Sequence, residues 1–154
     1  MSDSFLEVLK NRILFLDGAM GTMIQKKGLS EEDFRGNRFP NRDADLFLRG
    51  NNEVLNLTKP GVIKDIHSGF FDAGADIIET NTFNSTSVSQ GDYNLENLAY
   101  DFSFEGARIA REVADIYTEK TPKKPRYVAG VLGPLNKTLS LSPDVNNPGF
   151  RSVT

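Results

Sequence analysis

Residues 12–22 read RILFLDGAMGT, and the pattern of these residues indicates the fold class of the chain. An apolar run from Ile13 to Leu16 ends at Asp17, and a turn bracketed by Gly18 and Gly21 follows at once. Such a continuous apolar run is typical of a parallel strand that is covered on both faces. Parallel sheets place their functional side chains at the carboxyl ends of strands. The stretch therefore predicts a first strand that carries a carboxylate to the edge of an α/β fold.

Two later segments repeat the pattern of an apolar run that ends in polar residues or a glycine turn. Asp76 to Glu79 is predicted to be the second strand, and Tyr127 to Leu132 the third. Helices are predicted before and between these strands. Apolar residues at helical spacing follow Pro60 and stop at Gly74, and a longer apolar stripe runs from Leu95 to Ile116. Strands that alternate with helices predict right-handed crossovers and a parallel sheet.

Between the first strand and the Pro60 helix, residues 29–52 are predicted to form a long polar excursion. A short helix over Glu31 to Phe34 is the one regular element that we expect in it. Loops of this length are usually functional or disordered. The arginines of the stretch are offset by nearby acids, which predicts a solvated face. These arginines are Arg35, Arg38, Arg42 and Arg49.

The composition of the chain excludes several classes of function. The chain has 154 residues, a net charge of −3, no cysteine and a single histidine, His67. This charge gives no field that would attract nucleic acid or an anionic membrane, and no apolar run approaches the ~20 residues that span a bilayer. The first ten residues are too polar for a signal peptide, so a cytoplasmic location is expected. The missing thiols exclude disulfides and thiolate metal ligands on this chain, and His67 is interpreted as a surface residue.

The number of strands indicates a part of a larger domain. Three strands cannot close a barrel, and an open three-stranded parallel sheet would leave long unpaired edges in water. We therefore expect residues 1–154 to be the front part of a larger α/β domain that continues beyond Thr154.

Two groups of residues are candidates for chemistry. The carboxylate of Asp17 could bind the ammonium group of an amino acid while the backbone N–H groups of the Gly18–Gly21 turn hold an anionic group; the alternative is a helix cap. A glutamate that ends a buried strand, such as Glu79, must be paired or face a wet cavity, because burial of a lone charge is costly. The alternative there is a structural hydrogen-bond cluster with residues 80–82. Gly133 could admit a ligand to the backbone or simply end the third strand.

The motifs together resemble homocysteine S-methyltransferase domains. The matching segments are LDGAMGT at 16–22, GADIIETNTF at 74–83 and VAGVLGP at 128–134 followed by NKTLS at 136–140. With RGN at 35–37 and GNNE at 50–53, the chain is most similar within this family to the N-terminal module of cobalamin-dependent methionine synthases. The resemblance extends from about Leu9 to the last residue, Thr154.

This resemblance implies that the chain supplies about three βα units of the N-terminal portion of a TIM (β/α)₈ barrel. The barrel binds homocysteine at its C-terminal face, and a zinc ion held by three cysteines keeps the homocysteine sulfur as a thiolate. The thiolate accepts a methyl group from methylcobalamin, which methyltetrahydrofolate regenerates on separate cobalamin and folate domains. The resemblance places the zinc cysteines on later strands, beyond Thr154. We therefore expect this chain alone neither to bind zinc tightly nor to transfer methyl groups.

The resemblance also assigns residues to the substrate site. Asp17 matches the acid that contacts the homocysteine amino group, the following turn lies near the amino-acid end of the substrate, and the residues after the second strand line the pocket floor. The expected substrate-binding residues are Asp17, Gly18, Ala19, Gly21, Thr22, Glu79, Asn81, Thr82, Asn84 and Gly133. Two alternatives stay open: a parent enzyme that uses betaine or S-methylmethionine without cobalamin, and a non-catalytic small-molecule-binding module.

Overall fold

Helices and short strands alternate along the chain. A computed structural model describes residues 5–40, 46–135, 137–138 and 140–151. The elements are α1 (Phe5–Asn11), β1 (Leu16–Asp17), α2 (Met20–Lys26), α3 (Glu31–Arg35), α4 (Leu55–Thr58), α5 (Pro60–Asp72), β2 (Ile77–Glu79), α6 (Ser87–Gln90), α7 (Ala99–Lys120) and β3 (Tyr127–Ala129). Short 3₁₀ turns cover Asn52–Val54, Gly91–Tyr93 and Glu96–Leu98.

The three strands form one parallel sheet in the order β1-β2-β3. Leu16 pairs with Ile77, and Glu79 at the end of β2 pairs with Ala129. The predicted α/β fold with parallel strands is therefore confirmed. The strands are shorter than predicted, although the Phe15 carbonyl still accepts hydrogen bonds from the N–H groups of Asp76 and Ile77.

The first strand is not covered on both faces, contrary to the prediction. The side chains of Ile13, Phe15 and Leu16 are 78%, 67% and 52% exposed. The physical reason is that, among the described elements, β1 has an extensive contact only with β2, so no helix covers its faces, and α1 buries none of its residues. The central strand fits the expectation better, since Ile78 is fully buried.

Two long helices pack together and cover the sheet. α5 begins with Pro60 at its first turn, where the missing N–H is tolerated, and Gly74 follows its end at a φ of +106°. The apolar face of α5 meets that of α7, and α7 also contacts β3. Their buried side chains are Ile63, Ile66, Phe70, Phe71, Phe102, Ile109 and Val113. The helical periodicity that predicted these two helices is confirmed.

His67 lies in the core rather than on the surface. It is fully buried, and neither ring nitrogen has a hydrogen-bond partner among the described residues. The prediction was wrong because α5 contacts α2, α4, α7 and β2, so more than one side of the helix is covered. Burial lowers the pKa of His67 to about 4, and the ring is therefore neutral at physiological pH.

Hydrogen bonds and ion pairs hold the polar segment between α2 and α4 in place. α3 begins with a capping box between Ser30 and Asp33. Arg35 is not a solvated residue: its Nε lies 2.7 Å from a Glu31 carboxylate oxygen, and one of its terminal nitrogens donates to the Leu46 carbonyl. Arg38 is half-exposed and pairs with an acid of α7, as expected of a solvated face, and Arg42 lies outside the described residues.

In the part of the chain that the structure describes, none of the helices combines the length and the apolar character needed to cross a bilayer.

The last described residue is Arg151, so Thr154 lies outside the described residues. The expectation that the domain continues beyond Thr154, with the zinc cysteines on later strands, is not tested by the fold and stays a prediction.

Candidate functional site

A cleft of about 320 Å³ opens where β1 and β2 end. One wall is the glycine turn after β1, and the other is formed by residues that follow β2 and by the Asn52–Val54 turn. The lining residues are Gly18, Ala19, Met20, Gly21, Thr22, Asn52, Glu53, Glu79, Thr80, Asn81, Phe83, Asn84 and Val131. The fold thus brings together seven of the ten predicted substrate residues, which are Gly18, Ala19, Gly21, Thr22, Glu79, Asn81 and Asn84.

Asp17 stands at the edge of this cleft. It is exposed, it directly precedes the glycine wall, and it is not itself a lining residue. Its Oδ1 accepts a hydrogen bond from the Gly18 N–H at 2.9 Å, so this N–H is not free for a ligand. The helix-cap alternative is not observed, because α2 has Ala19 at its N-cap position and no side chain caps it.

Glu79 packs directly against the glycine wall. A Cβ atom placed on Gly18 would lie 2.6 Å from Glu79 Cβ and 2.8 Å from its Oε2. Any side chain at position 18 would therefore displace Glu79. The half-buried Glu79 reaches the cleft from β2, whereas Asp17, the acid predicted at the other strand end, precedes the cleft wall at Gly18 without lining the cleft.

The residues after Glu79 form a hydrogen-bond network within the protein. The Asn81 amide nitrogen donates to the Asn52 carbonyl at 2.8 Å and to Asn56 Oδ1 at 2.9 Å. The hydroxyls of Thr80 and Thr82 are 2.6 Å apart, and Thr82 donates to a backbone carbonyl near β3. Thr82 therefore fits the alternative of a structural hydrogen-bond cluster, since it does not line the cleft. Asn81 is both a lining residue and a member of the network.

Gly133 does not line the cleft. Its N–H donates to the Phe83 carbonyl at 2.9 Å, and a Cβ at position 133 would lie 2.5 Å from that carbonyl oxygen. The small residue is needed because the loop after β2 approaches it closely. Gly133 is not among the lining residues, and the prediction that it borders the substrate is not supported by this placement.

Glu53 is a lining residue that the sequence did not single out. It is 2% exposed, and its Oε1 accepts a hydrogen bond from the Asn84 N–H at 2.9 Å. Its Oε2 is buried and has no partner among the described residues. Burial raises the pKa of Glu53. Sequence reasoning passed over this acid because the GNNE segment at 50–53 has no strand-end signal and served only as part of a resemblance.

The part of the chain that the structure describes does not offer a zinc site. The chain has no cysteine, and the described residues contain no cluster of three or more histidine, aspartate or glutamate side chains that could hold a metal ion. The polar groups available in the cleft are carboxylates, amides, threonine hydroxyls and backbone groups. These groups can bind and orient a polar ligand.

Comparisons with known proteins agree with this fold and give the family of the chain. The homocysteine methyltransferase MmuM from Escherichia coli, metallated form, is 21% identical with a TM-score of 0.63 over 83% of this chain. Its oxidized form is 23% identical with a TM-score of 0.64 over 86% of this chain. The chain spans 40% and 41% of those two structures. The sequence profile of the family described as homocysteine S-methyltransferase matches residues 14–154, and the chain therefore belongs to the homocysteine S-methyltransferase family.

Proposed function

We propose that this chain forms the part of a homocysteine S-methyltransferase that orients the amino-acid end of homocysteine. In this proposal the three βα units are the first of a (β/α)₈ barrel, and residues 1–154 are one portion of that domain. The observation that carries the proposal is the meeting of the glycine turn after β1 and the acid that ends β2 around one cleft. Active sites of such barrels lie at the carboxyl ends of the strands.

The charge of the cleft favours an amino-acid ligand. Glu53 and Glu79 line it, Asp17 stands at its edge, and the described lining residues include no lysine or arginine. Carboxylates without a cationic partner favour the binding of an ammonium group. The wall allows the ligand to approach the backbone closely at Gly21, which carries no side chain, whereas the corresponding space at Gly18 is filled by Glu79. Asp17 and Glu79 are thus proposed to receive the ammonium group of homocysteine.

We further propose that the reaction moves a methyl group from methylcobalamin to the homocysteine sulfur and yields methionine. The support is the similarity of residues 35–37 and 50–53 to cobalamin-dependent methionine synthases. Zinc, methylcobalamin and methyltetrahydrofolate would be held by parts of the parent protein beyond Thr154. The present chain is proposed to contribute binding and orientation.

The test is a titration of the ¹⁵N-labelled chain with L-homocysteine, followed by two-dimensional NMR. The spectrum reports folding and weak binding at the same time. We expect shifts at the amides of Gly18, Ala19 and Gly21, which form the cleft wall. The comparison ligand is 4-mercaptobutanoic acid, which has the same thiol and carboxylate but no ammonium group and should bind more weakly.

Two variants and a control make this test specific. Asp17→Asn and Glu79→Gln should each weaken binding by roughly tenfold, since each removes a charge-assisted hydrogen bond. Glu96→Gln is the matched control, because Glu96 is exposed and lies outside the cleft. Homocysteine shifts that leave the 18–22 amides unchanged, or that persist undiminished in both variants, would contradict the proposal.

A further inference from the structure

The proposed function gives a place to the ammonium group of the ligand and none to its carboxylate. A carboxylate that leaves water for a protein cleft needs N–H or O–H donors or a cation. The described residues that line the cleft include no lysine or arginine, and two of them, Glu53 and Glu79, are acids. The carboxylate of an amino acid therefore depends on neutral donors, because the described lining residues offer no positive charge.

The side-chain amides of the cleft are not equally available as donors. Three asparagines line it, which are Asn52, Asn81 and Asn84. Asn81 uses its amide nitrogen within the protein, on the Asn52 carbonyl and on Asn56 Oδ1. Asn84 is exposed on the loop after β2. The half-buried Asn52 has a side-chain amide that makes no hydrogen bond to another described residue, so it is a donor that a ligand can use.

The fold holds the Asn52 amide beside the wall of the cleft. Asn52 begins the turn before α4, and its carbonyl is fixed by the hydrogen bond from Asn81. Its Nδ2 lies 3.5 Å from the point where a Cβ atom of Gly21 would stand. Apart from the neighbours of Gly21 and the backbone of α2, no other atom of the described residues comes within 4 Å of that point. The wall is therefore open beside Gly21, and the Asn52 amide borders the opening.

The two glycines of the wall thus lie beside groups of opposite character. At Gly18 the space of a side chain is filled by Glu79, whose carboxylate accepts hydrogen bonds. At Gly21 the space is open, and the nearest side-chain group is the amide donor of Asn52. An amino acid carries its ammonium group and its carboxylate on one carbon atom. Its recognition therefore requires an acceptor and a donor within a single cleft, and these two glycines mark where the cleft provides them.

We propose that Asn52 is a specificity-determining residue of the cleft, whose side-chain amide donates a hydrogen bond to the carboxylate of the amino-acid ligand beside Gly21. This inference rests on the proposed function and deepens it. A hydrogen bond from an amide to a charged acceptor is stronger than one between neutral groups. A site built around such a bond discriminates against analogues that lack the acceptor. The cleft accordingly selects amino acids over amines that have no carboxylate.

The direct test observes the side-chain NH₂ group of Asn52 by two-dimensional NMR in the full ¹⁵N-labelled chain, with the signal assigned through bonds from the Asn52 backbone. Two ligands are compared, L-homocysteine and 3-aminopropane-1-thiol, which has the same thiol and ammonium groups but no carboxylate. We expect homocysteine to shift the Asn52 signal. The aminothiol should leave that signal in place while it still shifts the amide of Gly18. An asparagine with a structural role alone would not respond to the carboxylate of the ligand.

Affinities provide a second readout. Asn52→Asp keeps the size of the side chain and replaces its donor by a charged acceptor. The variant should weaken homocysteine binding by about tenfold to a hundredfold and should not weaken binding of the aminothiol. Asn97→Asp introduces the same charge at an exposed position outside the cleft and is the matched control. It should bind both ligands as the parent chain does.

The outcomes separate this inference from the proposed function. An Asn52 signal that does not respond to homocysteine, or equal losses of affinity for both ligands in Asn52→Asp, would overturn the role of Asn52. The homocysteine site would still stand if the amides of residues 18–22 shift. Absence of any shift with homocysteine would overturn both proposals. If Asn52→Asp fails to fold, the titration of the parent chain decides the question alone.

Discussion

Gly18 lies so close to Glu79 that a Cβ atom at position 18 would be 2.6 Å from Glu79 Cβ. This contact joins the turn after β1 to the end of β2, two segments about sixty residues apart in sequence. It holds the glutamate beside the cleft without a hydrogen bond to the turn. The absence of a side chain at position 18 is therefore a requirement of the site.

Gly18→Ala should disturb the cleft and the fold together. Real Cβ atoms do not approach other carbons this closely, so Glu79 or the turn must move, and we expect a loss of about 1–3 kcal/mol in the free energy of unfolding. Urea denaturation measures this loss. Gly21→Ala, in the first turn of α2, is the control, because its Cβ would lie 3.5 Å from the Asn52 amide nitrogen, an ordinary contact. Equal stabilities of the two variants would contradict the prediction.

Gly106→Ala should destabilise the protein although alanine is the better helix former. A Cβ at this buried position of α7 would lie 2.6 Å from Thr82 Cγ2 and 2.7 Å from the Asn56 amide nitrogen. Overpacking of this kind costs about 1–3 kcal/mol. Gly69→Ala in α5, where no atom lies within 4 Å of the added methyl group, should instead gain about 0.5–1 kcal/mol. Thermal unfolding of the two variants should therefore move in opposite directions.

His67 should make the fold sensitive to mild acid. Its pKa is lowered from 6.5 to about 4 by burial, so the unfolded chain binds the proton more tightly than the folded one. The contribution to stability is intact above pH 6.5 and is lost as the pH falls toward 4, by roughly 3 kcal/mol in total. His67→Leu removes this dependence. As the pH falls from 7.5 to 4.5, His67→Leu should therefore become more stable relative to the parent chain, measured as the difference between their urea-unfolding free energies. A difference that stays constant with pH would count against the prediction.

Asp76→Asn should lower the free energy of unfolding, because it weakens the contacts between the N-terminal segment and the start of β2. The Asp76 carboxylate is buried and accepts two hydrogen bonds from the Arg12 guanidinium at 2.8 and 2.9 Å and one from the Phe15 N–H at 3.0 Å. Because Arg12 is partly exposed and keeps some solvation, we expect a loss of about 2–3 kcal/mol. Glu105→Gln, which removes a partly exposed partner of the half-exposed Arg108, should cost less than about 0.5 kcal/mol. Denaturant unfolding of the Asp76→Asn and Glu105→Gln variants measures the two losses of unfolding free energy.

The same pair has a defined pH dependence. Burial acts to raise the pKa of Asp76, but the Arg12 and Phe15 hydrogen bonds and the charges of Arg12 and Lys124 lower it below its ordinary 3.8. The pair therefore stabilises the fold fully above that pH and loses its contribution as the pH falls further. The Asp76→Asn difference should shrink in strong acid, in contrast to that of His67→Leu, which is largest there.

The periodic features of the chain could be predicted from the sequence because they depend on near neighbours. The helix that begins at Pro60, the long apolar stripe of α7 and the parallel order of the strands all follow from local spacing and alternation. The clustering of Gly18 and Glu79 was also predictable, since the carboxyl ends of parallel strands share one edge. The family resemblance lies in these same strand ends.

Contacts between distant segments decided the rest. Burial of His67 depends on which sides of α5 are covered, and exposure of β1 depends on the absence of a described helix packed on its faces. Gly133 is small because Phe83 approaches it, and Glu53 reaches the cleft because the turn before α4 folds against the loop after β2. No local sequence pattern predicts these contacts between distant segments. Local spacing in the chain identifies the strand ends that carry polar residues, whereas the side chains that face the cleft are known only from the folded protein, because burial and proximity arise from packing between segments far apart in the chain.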